Sequence, residues 1–521
     1  MAPCRRSVPV RAWVGTGRLH RVPLAGLGSH RAHDRRRRGG RDPGHRDPGD
    51  PHAGAFTRKR DLRDDRRVDR GRRALPRLGR TGRSSGGRLA DPRPFHPRAA
   101  LPVPRRYPGL PRARPRDHDR PRDPDESLRR GAGARGGVGF VAERADALII
   151  GGGVIGASIA YHLTLRGLKP RVFERNLLGS GNTGRSAGGI RAQFTTETNI
   201  RLSLHSIAFY ERFREILGAD AEFHQVGYLF LAVSPEQLRQ FEERVAFQRR
   251  FGVQVSLLTR EEVASGWPFL RTDDVYGATY STKDGFAGPY EVTIAFANAA
   301  KQRGAVFHEQ AEVLEIVAER GAVRGLKTSI GEFSSGVVVA AAGPAIPALV
   351  KPLGIEVPVL PYRRHLFMTE TFPEIPDNIP FIIDSGTGLY FRKETGGIML
   401  GMVDKSDPPT FSTNVDEGYL EKLVEAALMR APILEKANIL NGWAGLYDTT
   451  PDHHAIVGPV DEVKGLYLAV GFSGHGFMHS PAIGAALSEL IVDGAARCVK
   501  LDALSLNRFA AGAVVEETNV I

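Results

Sequence analysis

The stretch Leu148–Leu163, LIIGGGVIGASIAYHL, decides the fold class. Asp146 to Ile150 is a short apolar run suited to a buried parallel strand, and from Val154 the apolar residues Ile155, Ile159, Leu163 and Leu165 follow helical spacing. Gly167 closes that helix. PRVFERN then supplies a second strand ending at Glu174, which lies 174 − 156 = 18 residues beyond Gly156. A G-x-G-x-x-G run alone is a weak signal, but flanked by both strands, a helix and an acid at this distance it reads as a dinucleotide-binding βαβ unit. In such a unit Gly151 makes the tight turn, Gly153 lets backbone approach a pyrophosphate, Gly156 lets helix and strand pack closely, and Glu174 accepts from ribose hydroxyls. Val154 and Ile155 open the helix whose amides face the phosphates.

This unit does not by itself distinguish FAD from NAD. The next stretch, LLGSGNTGRSAGGIRAQF (177–194), is a second Gly/Ser-rich loop where an NAD domain would continue into its next helix. Such a loop offers further amides and hydroxyls to a pyrophosphate and a larger ring system, which favours FAD.

The 147 residues in front of Leu148 have a different character. Residues 1–140 hold 36 Arg and 1 Lys against 13 Asp and 1 Glu, so 37 − 14 = +23, whereas the whole chain carries +14 and the remainder therefore −9. The segment has no Ile, Asn or Gln and few large apolar residues, so it cannot bury enough surface to offset chain entropy, and disorder is expected. An arginine-rich RNA-binding arm would mix in Lys, Ser and Gln with aromatic interleaving, and a transit peptide would be poor in acids. The reading that fits best is an upstream extension from a misplaced start in a GC-rich gene, with the natural start at a Val such as Val138 or Val141. Nucleic acid is thus not an expected partner.

Cys4 and Cys498 alone cannot form a disulfide framework or a cysteine-rich metal site. The longest apolar run, VVVAAAGPAIPALV (337–350), is too short and too broken by Pro and Gly for a membrane span. The composition therefore suggests a soluble, cytoplasmic protein of 521 − 140 = 381 residues in two interleaved domains. In PDHHA, His453 and His454 are read as pointing opposite ways on a strand with no third ligand near, so no metal is expected.

Five motifs in order carry a resemblance: LIIGGGVIGASIAYHL, GSGNTGRSAGGIRAQF, VVVAAAGPAIPAL, GLYDTTPDHHAIVGP and LYLAVGFSGHGFMHSPAIGAALSELI. Together they resemble the D-amino-acid oxidase superfamily of FAD enzymes, in its sarcosine oxidase, glycine oxidase and dye-linked proline dehydrogenase branch and its mitochondrial FAD-dependent oxidoreductase-domain proteins. The resemblance spans 143–515. It implies an FAD site formed by the glycine turn with Glu174 and Arg175, the loop residues Ser180, Thr183, Ser186, Ala187 and Gly188, a backbone contact to adenine at Val313, and a close approach to the ADP ribose at Ala341, Ala342 and Gly343.

The stretch GLYLAVGFSGHGFMHSP runs a strand, Leu466 to Val470, into a glycine turn and a helix, and amides at a helix N-terminus stabilise negative charge. By resemblance Gly474, His475, Gly476, Phe477 and Met478 line the flavin edge that is charged on reduction. A hydrogen-bonded turn histidine is the alternative for His475. Arg191 matches the arginine that the family's sarcosine oxidases use for the substrate carboxylate, against the alternative of an ion pair. Tyr390 and Arg392 lie on a probable strand and Tyr447 follows WAGL; each tyrosine reads equally as a pocket wall or as a packed sheet aromatic.

The chain departs from the sarcosine oxidase pattern. Met478 stands where a carboxylate-binding Lys is found, Met399 where the oxygen-activating Lys aligns, Gly445 at the covalent flavin Cys, and Arg185 or Ser186 where dimethylglycine dehydrogenases tether flavin through His. The implied FAD is non-covalent, with dehydrogenase slightly favoured over oxidase. The expected fold is α/β (α+β overall): a Rossmann-like FAD-binding domain from 141–222, 289–355 and 441–521, an interleaved antiparallel-sheet substrate domain from 223–288 and 356–440, and the disordered extension 1–140. A capping box, SPEQ, begins a helix at Ser234. The implied activity is oxidation of a secondary or N-methylated amino acid to an imine by hydride transfer, catalysed through Arg191, His475 and Tyr390. Electrons would pass to oxygen, a quinone or an electron-transfer protein, in a monomer or a homo- or hetero-oligomer. The alternative is a flavoprotein subunit or assembly factor of an electron-transfer complex.

Overall fold

The computed structural model describes residues 143–520 and the dipeptide Val22–Pro23. That dipeptide pairs antiparallel with Ile439 and Asn438; the remainder of the segment expected to be disordered lies outside the described residues.

A six-stranded sheet carries the nucleotide unit, in the order Val306–His308, Pro170–Phe173, Ala147–Ile150, Val338–Ala340, Leu466–Val470, Ile456–Pro459. Every neighbouring pair is parallel except the last. Ala147–Ile150 stands at the centre with all four residues buried, as its apolar run requires. The helix Val154–Leu165 buries all but its last residue, because the helices Pro289–Gln302 and Gly476–Asp493 pack on it from either side. Gly484 makes the second contact possible: a Cβ there would stand 2.2 Å from Ser158 Oγ, which itself donates to the Ser480 carbonyl at 2.7 Å. Pro481 lacks the amide that would bond Phe477 O, and that carbonyl instead accepts from Tyr210 OH at 3.0 Å and Ser480 Oγ at 2.9 Å. A separate four-stranded sheet, Val313–Glu319, Ala322–Thr328, Gly331–Ser334 and Glu143–Arg144, brings Val313 to the edge of the nucleotide unit.

The second domain is a nine-stranded sheet, ordered Val22–Pro23, Asn438–Thr449, Leu360–Thr369, Gly397–Met402, Leu389–Glu394, Phe381–Asp384, Tyr228–Ala232, Gly277–Ser281, Ser256–Leu258. It is mixed rather than wholly antiparallel. Two separated chain segments each fold into antiparallel strands, and they meet where Phe381–Asp384 runs parallel to Tyr228–Ala232. The expected boundary at 440/441 also moves: Asn438–Thr449 is one strand, paired with Leu360–Thr369 from Thr449↔Leu360 to Ile439↔Thr369, so the sheet keeps the chain until Thr449. Apolar alternation in NILNGWAGLYDT is broken by two glycines, which hides the length of that strand.

The helix Pro235–Arg250 starts at Ser234, whose Oγ accepts from the Gln237 amide at 3.2 Å. Gln237 does not close the box onto Ser234 but accepts from Val233 N at 2.8 Å and donates to Ser385 O. His453 and His454 lie in a turn, not a strand, with His453 at φ +59°.

The helix Glu417–Arg430 is pinned under the large sheet by its last residue. Arg430 is fully buried, donating from Nε to Asp384 at 2.8 Å and from both Nη atoms to Asp274 at 2.9 Å. Removing one partner of a buried pair strands the other charge. Arg430→Ala is therefore expected to cost about 3–5 kcal/mol in denaturant unfolding; a loss below about 1 kcal/mol would show that this anchor does not hold the helix.

Candidate active site

A cavity of about 840 Å³ runs from the glycine turn of the first strand to the turn after Val470. At one end Gly151 has φ +105°, and a Cβ there would stand 2.6 Å from the Ala341 carbonyl, so only glycine fits. On Gly156 a Cβ would meet Gly151 O at 2.0 Å, which is how helix and turn come so close. The helix N-terminus at Gly153 has no side-chain cap, although Val154 N reaches Thr183 Oγ1 at 3.2 Å. Glu174 faces the cavity while each carboxylate oxygen accepts one amide, Gly152 N and Asn176 N, both at 2.9 Å. These bonds fix the acid at the end of its strand and leave further lone pairs for hydroxyl donors.

At the other end the turn after Val470 is shaped by Gly471 at φ +75°, Ser473 at +52° and Gly474 at +89°. Asp448 holds it, accepting from Gly471 N at 2.8 Å through Oδ2 and from Ser473 N at 2.9 Å through its carbonyl. Gly474 lies flat against Tyr447, whose Cε2 would stand 2.3 Å from a Cβ. The helix Gly476–Asp493 then begins, with Gly476 and Phe477 at the cavity wall. Across from it the large sheet contributes Arg364, Gly445, Leu446 and Tyr447, with Phe411 and Thr413 beside them.

A glycine cradle, a helix N-terminus and a strand-end acid at one end, and a second helix N-terminus at the other, form a donor set that fits a dinucleotide with a ring system at its far end. The family model for FAD dependent oxidoreductases, DAO, matches residues 146–490. The chain belongs to this family. Its cofactor is accordingly FAD.

FAD-dependent oxidoreductase domain-containing protein 1 of Xenopus laevis is 34% identical over 433 residues, covering 73% of this chain and 85% of that protein. Human mitochondrial dimethylglycine dehydrogenase is 30% identical over 68% of this chain but only 43% of its own length, so the chain spans less than half of that enzyme. Among solved structures, L-proline dehydrogenase from P. horikoshii aligns with a TM-score of 0.68 at 33% identity, covering 71% of this chain and 99% of that one. Glycine oxidase from Geobacillus kaustophilus aligns with a TM-score of 0.65 at 28% identity, over 70% and 99%.

Of the residues singled out from sequence, Gly151, Gly153, Val154, Ile155, Glu174, Arg175, Ser180, Thr183, Ser186, Val313, Ala342, Gly343, Gly474, Gly476 and Phe477 line the FAD cavity. Ala341, Arg185, Gly445 and Tyr447 line it too, while Gly156, Ala187, Gly188, Arg191, Tyr390, His475 and Met478 stand behind it. Gly156 packs on Gly151 O, and Gly188, at φ +69°, leaves no room for a Cβ beside Ala287 O. The Ala187 carbonyl accepts from Arg392 Nε and Nη2 at 3.0 and 2.8 Å, which ties the loop to the sheet. Met478 is buried in the core of the FAD domain, and Tyr390 is buried over Gly401.

Arg191 is also buried, and its guanidinium serves the chain itself. Nη1 donates to Gln193 O and Nη2 to Asn519 O, both at 2.6 Å, with the face stacked 4.0 Å from the Phe194 ring centre. His475 Nε2 is 3.5 Å from Nη2, and the ring stands edge-on to Phe194. Burial, helped by the Arg191 charge, holds that imidazole well below its usual range, hence neutral near pH 7.

Sequence reading missed the segment that completes this cluster. Glu517 is fully buried and accepts from Thr195 Oγ1 at 2.5 Å, Thr196 Oγ1 at 2.9 Å, both their amides and Asn199 Nδ2. Burial works against its charge, but the bonds from Thr195 and the Asn519 amide carry its carboxyl below the ordinary carboxylate range. This clamp brings Asn519 onto Arg191 and Gln193. The TTET run at 195–198 offered a hydroxyl-rich helix start, but nothing in sequence shows which acid would fill it. Asp448, Arg364, Phe411 and Thr413 were missed as well.

Burial pushes the Asp448 carboxyl up to about 6 from 3.8, against the pull of the Gly471 amide. A folded-state value above the unfolded one adds stability that is full below pH 3.8 and is lost as pH rises through about 6. Asp448→Asn removes the ionisation and keeps an oxygen for Gly471. Its melting temperature should exceed that of the unsubstituted protein by clearly more at pH 8 than at pH 4; a constant difference at both pH values would contradict this.

Proposed function

We propose that this chain oxidises a secondary or N-methylated amino acid, such as sarcosine or proline, to the imine. The observation that carries the reading is the face opposed to the Gly474–Phe477 turn: Tyr447 and Arg364 project from the large sheet into the same end of the cavity. An aromatic wall beside a cation is the environment that a small amino acid needs, with its apolar part packed and its carboxylate paired. The relatives named as dimethylglycine, sarcosine and L-proline dehydrogenases support that substrate class.

Bound FAD supplies the two-electron acceptor for a hydride leaving the carbon next to nitrogen. In the substrate, the C–H bond breaks with its electron pair, the nitrogen lone pair closes the C=N bond, and the nitrogen proton passes to solvent. The chain's part is positioning rather than strong-base catalysis. The neutral His475 carries no charge to repel a cationic amine, and the N-terminus of Gly476–Asp493 favours negative charge at the cavity edge. Gly445 offers no thiol and Arg185 and Ser186 no imidazole, which supports a non-covalent cofactor. Two methionines, Met399 and Met478, at the lysine positions of sarcosine oxidases support a dehydrogenase, with oxygen, a quinone or an electron-transfer protein as candidate acceptors.

Anaerobic addition of sarcosine, proline, N-methylated glycines and glycine to the holoprotein is expected to bleach the flavin band at about 450 nm with at least one of them. No bleaching across that panel would sink the reading and favour a flavoprotein without small-molecule turnover.

A further inference from the structure

We propose that Arg364, rather than Arg191, is the cation that receives the substrate carboxylate; the inference rests on the amino-acid oxidation proposed above. Two features of the structure separate these arginines. Arg191 has both terminal nitrogens committed to main-chain carbonyls of Gln193 and Asn519, and it stands behind the cavity wall. Arg364 lines the cavity, its Nη1 donates to the Arg363 carbonyl at 2.8 Å, and its Nε is buried without a hydrogen-bond partner. Among the described residues no carboxylate forms an ion pair with it. Nη2 makes no hydrogen bond among the described residues, so the guanidinium keeps a donor for an anion that enters the cavity.

The sheet register explains why this side chain reaches the cavity. Tyr362, Arg364 and Leu366 alternate onto one face of Leu360–Thr369 and stand opposite Tyr447, Gly445 and Trp443. Gly445, which stands opposite Arg364, is closed over by Arg185, whose Cβ would lie 3.1 Å from a Cβ on that glycine. The guanidinium carbon lies 5.4 Å from the Tyr447 ring centre and 5.8 Å from that of Tyr362, so two aromatic faces hold it without neutralising it. Tyr447 in turn rests on Gly474, so an anion on Arg364 is held at the end of the cavity where the flavin-edge turn begins. Phe411 and Thr413 stand beside it and give the anion an amphipathic rim.

The test uses the holoprotein and tetrahydrofuran-2-carboxylate, a proline analogue whose ring oxygen cannot form an imine, with binding read from the shift in flavin absorption. Arg364→Gln is expected to weaken its binding, and raise KM for carboxylate-bearing amines, by about 30–100-fold, with Arg364→Lys recovering part of the loss. Reduction by pyrrolidine, the ring without the carboxylate, should change little in either variant. Analogue binding as in the unsubstituted protein, or equal losses for proline and pyrrolidine, would overturn the assignment. Lowered FAD retention with unchanged analogue affinity would do the same by moving Arg364 to the cofactor. If the unsubstituted protein binds the analogue and Arg364→Gln does not, yet no amine bleaches the flavin, the oxidation reading fails while the role of Arg364 stands. Absence of analogue binding by the unsubstituted protein, with no amine bleaching the flavin, would overturn both.

Discussion

The rest of the structure depends on a place where backbone touches backbone. Gly156 lies so near the Gly151 carbonyl, and Gly151 so near that of Ala341, that a single methyl at either position would collide. Because of this contact the first helix can start directly above the ends of two adjacent parallel strands, with its amides directed into the cavity. The same helix then receives Gly476–Asp493 through the gap left by Gly484 against Ser158. The two helix N-termini that bracket the cavity are thereby fixed by two glycine contacts on one helix, and the separation between the phosphate end and the flavin-edge turn follows from them.

The large sheet then works as a lid of fixed shape. It is tied to the FAD domain by Arg392 on the Ala187 carbonyl, by Trp443 on the Arg185 carbonyl at 3.2 Å, and by the Leu446 amide on Asn182 at 3.1 Å. All four bonds fall on the loop 182–187, so that loop is both a cofactor wall and the seam between domains. The cluster behind it, Arg191, Gln193, Asp284, His475 and Asn519, is a hydrogen-bonded network, and such networks rigidify the structure around them. Chemistry is left to the groups facing the cavity.

The FAD half was legible in the sequence because its requirements are local. A glycine at positive φ, a strand-end acid and a helix start each leave a mark within a few residues, and Gly151 and Glu174 came from such marks, whereas Gly343 and Gly474 came with the resemblance. The substrate half depends on strand register across distant segments. Nothing near Arg364 in LPYRRHLF says that Gly445 will stand opposite it, or that its neighbour Arg363 will turn instead to Asp407 on the other face. The parallel join at Phe381–Asp384 and the clamp on Glu517 were hidden for the same reason, since each pairs residues more than a hundred positions apart.

We propose that this cavity holds one FAD, without a covalent bond, between the two helix ends. Heat or acid denaturation of the purified protein, with the flavin in supernatant and pellet identified by mass, tests it most directly. One FAD per chain, all of it in the supernatant, is the predicted result. A chain that carries no flavin, or flavin that remains with the pellet, would contradict the account.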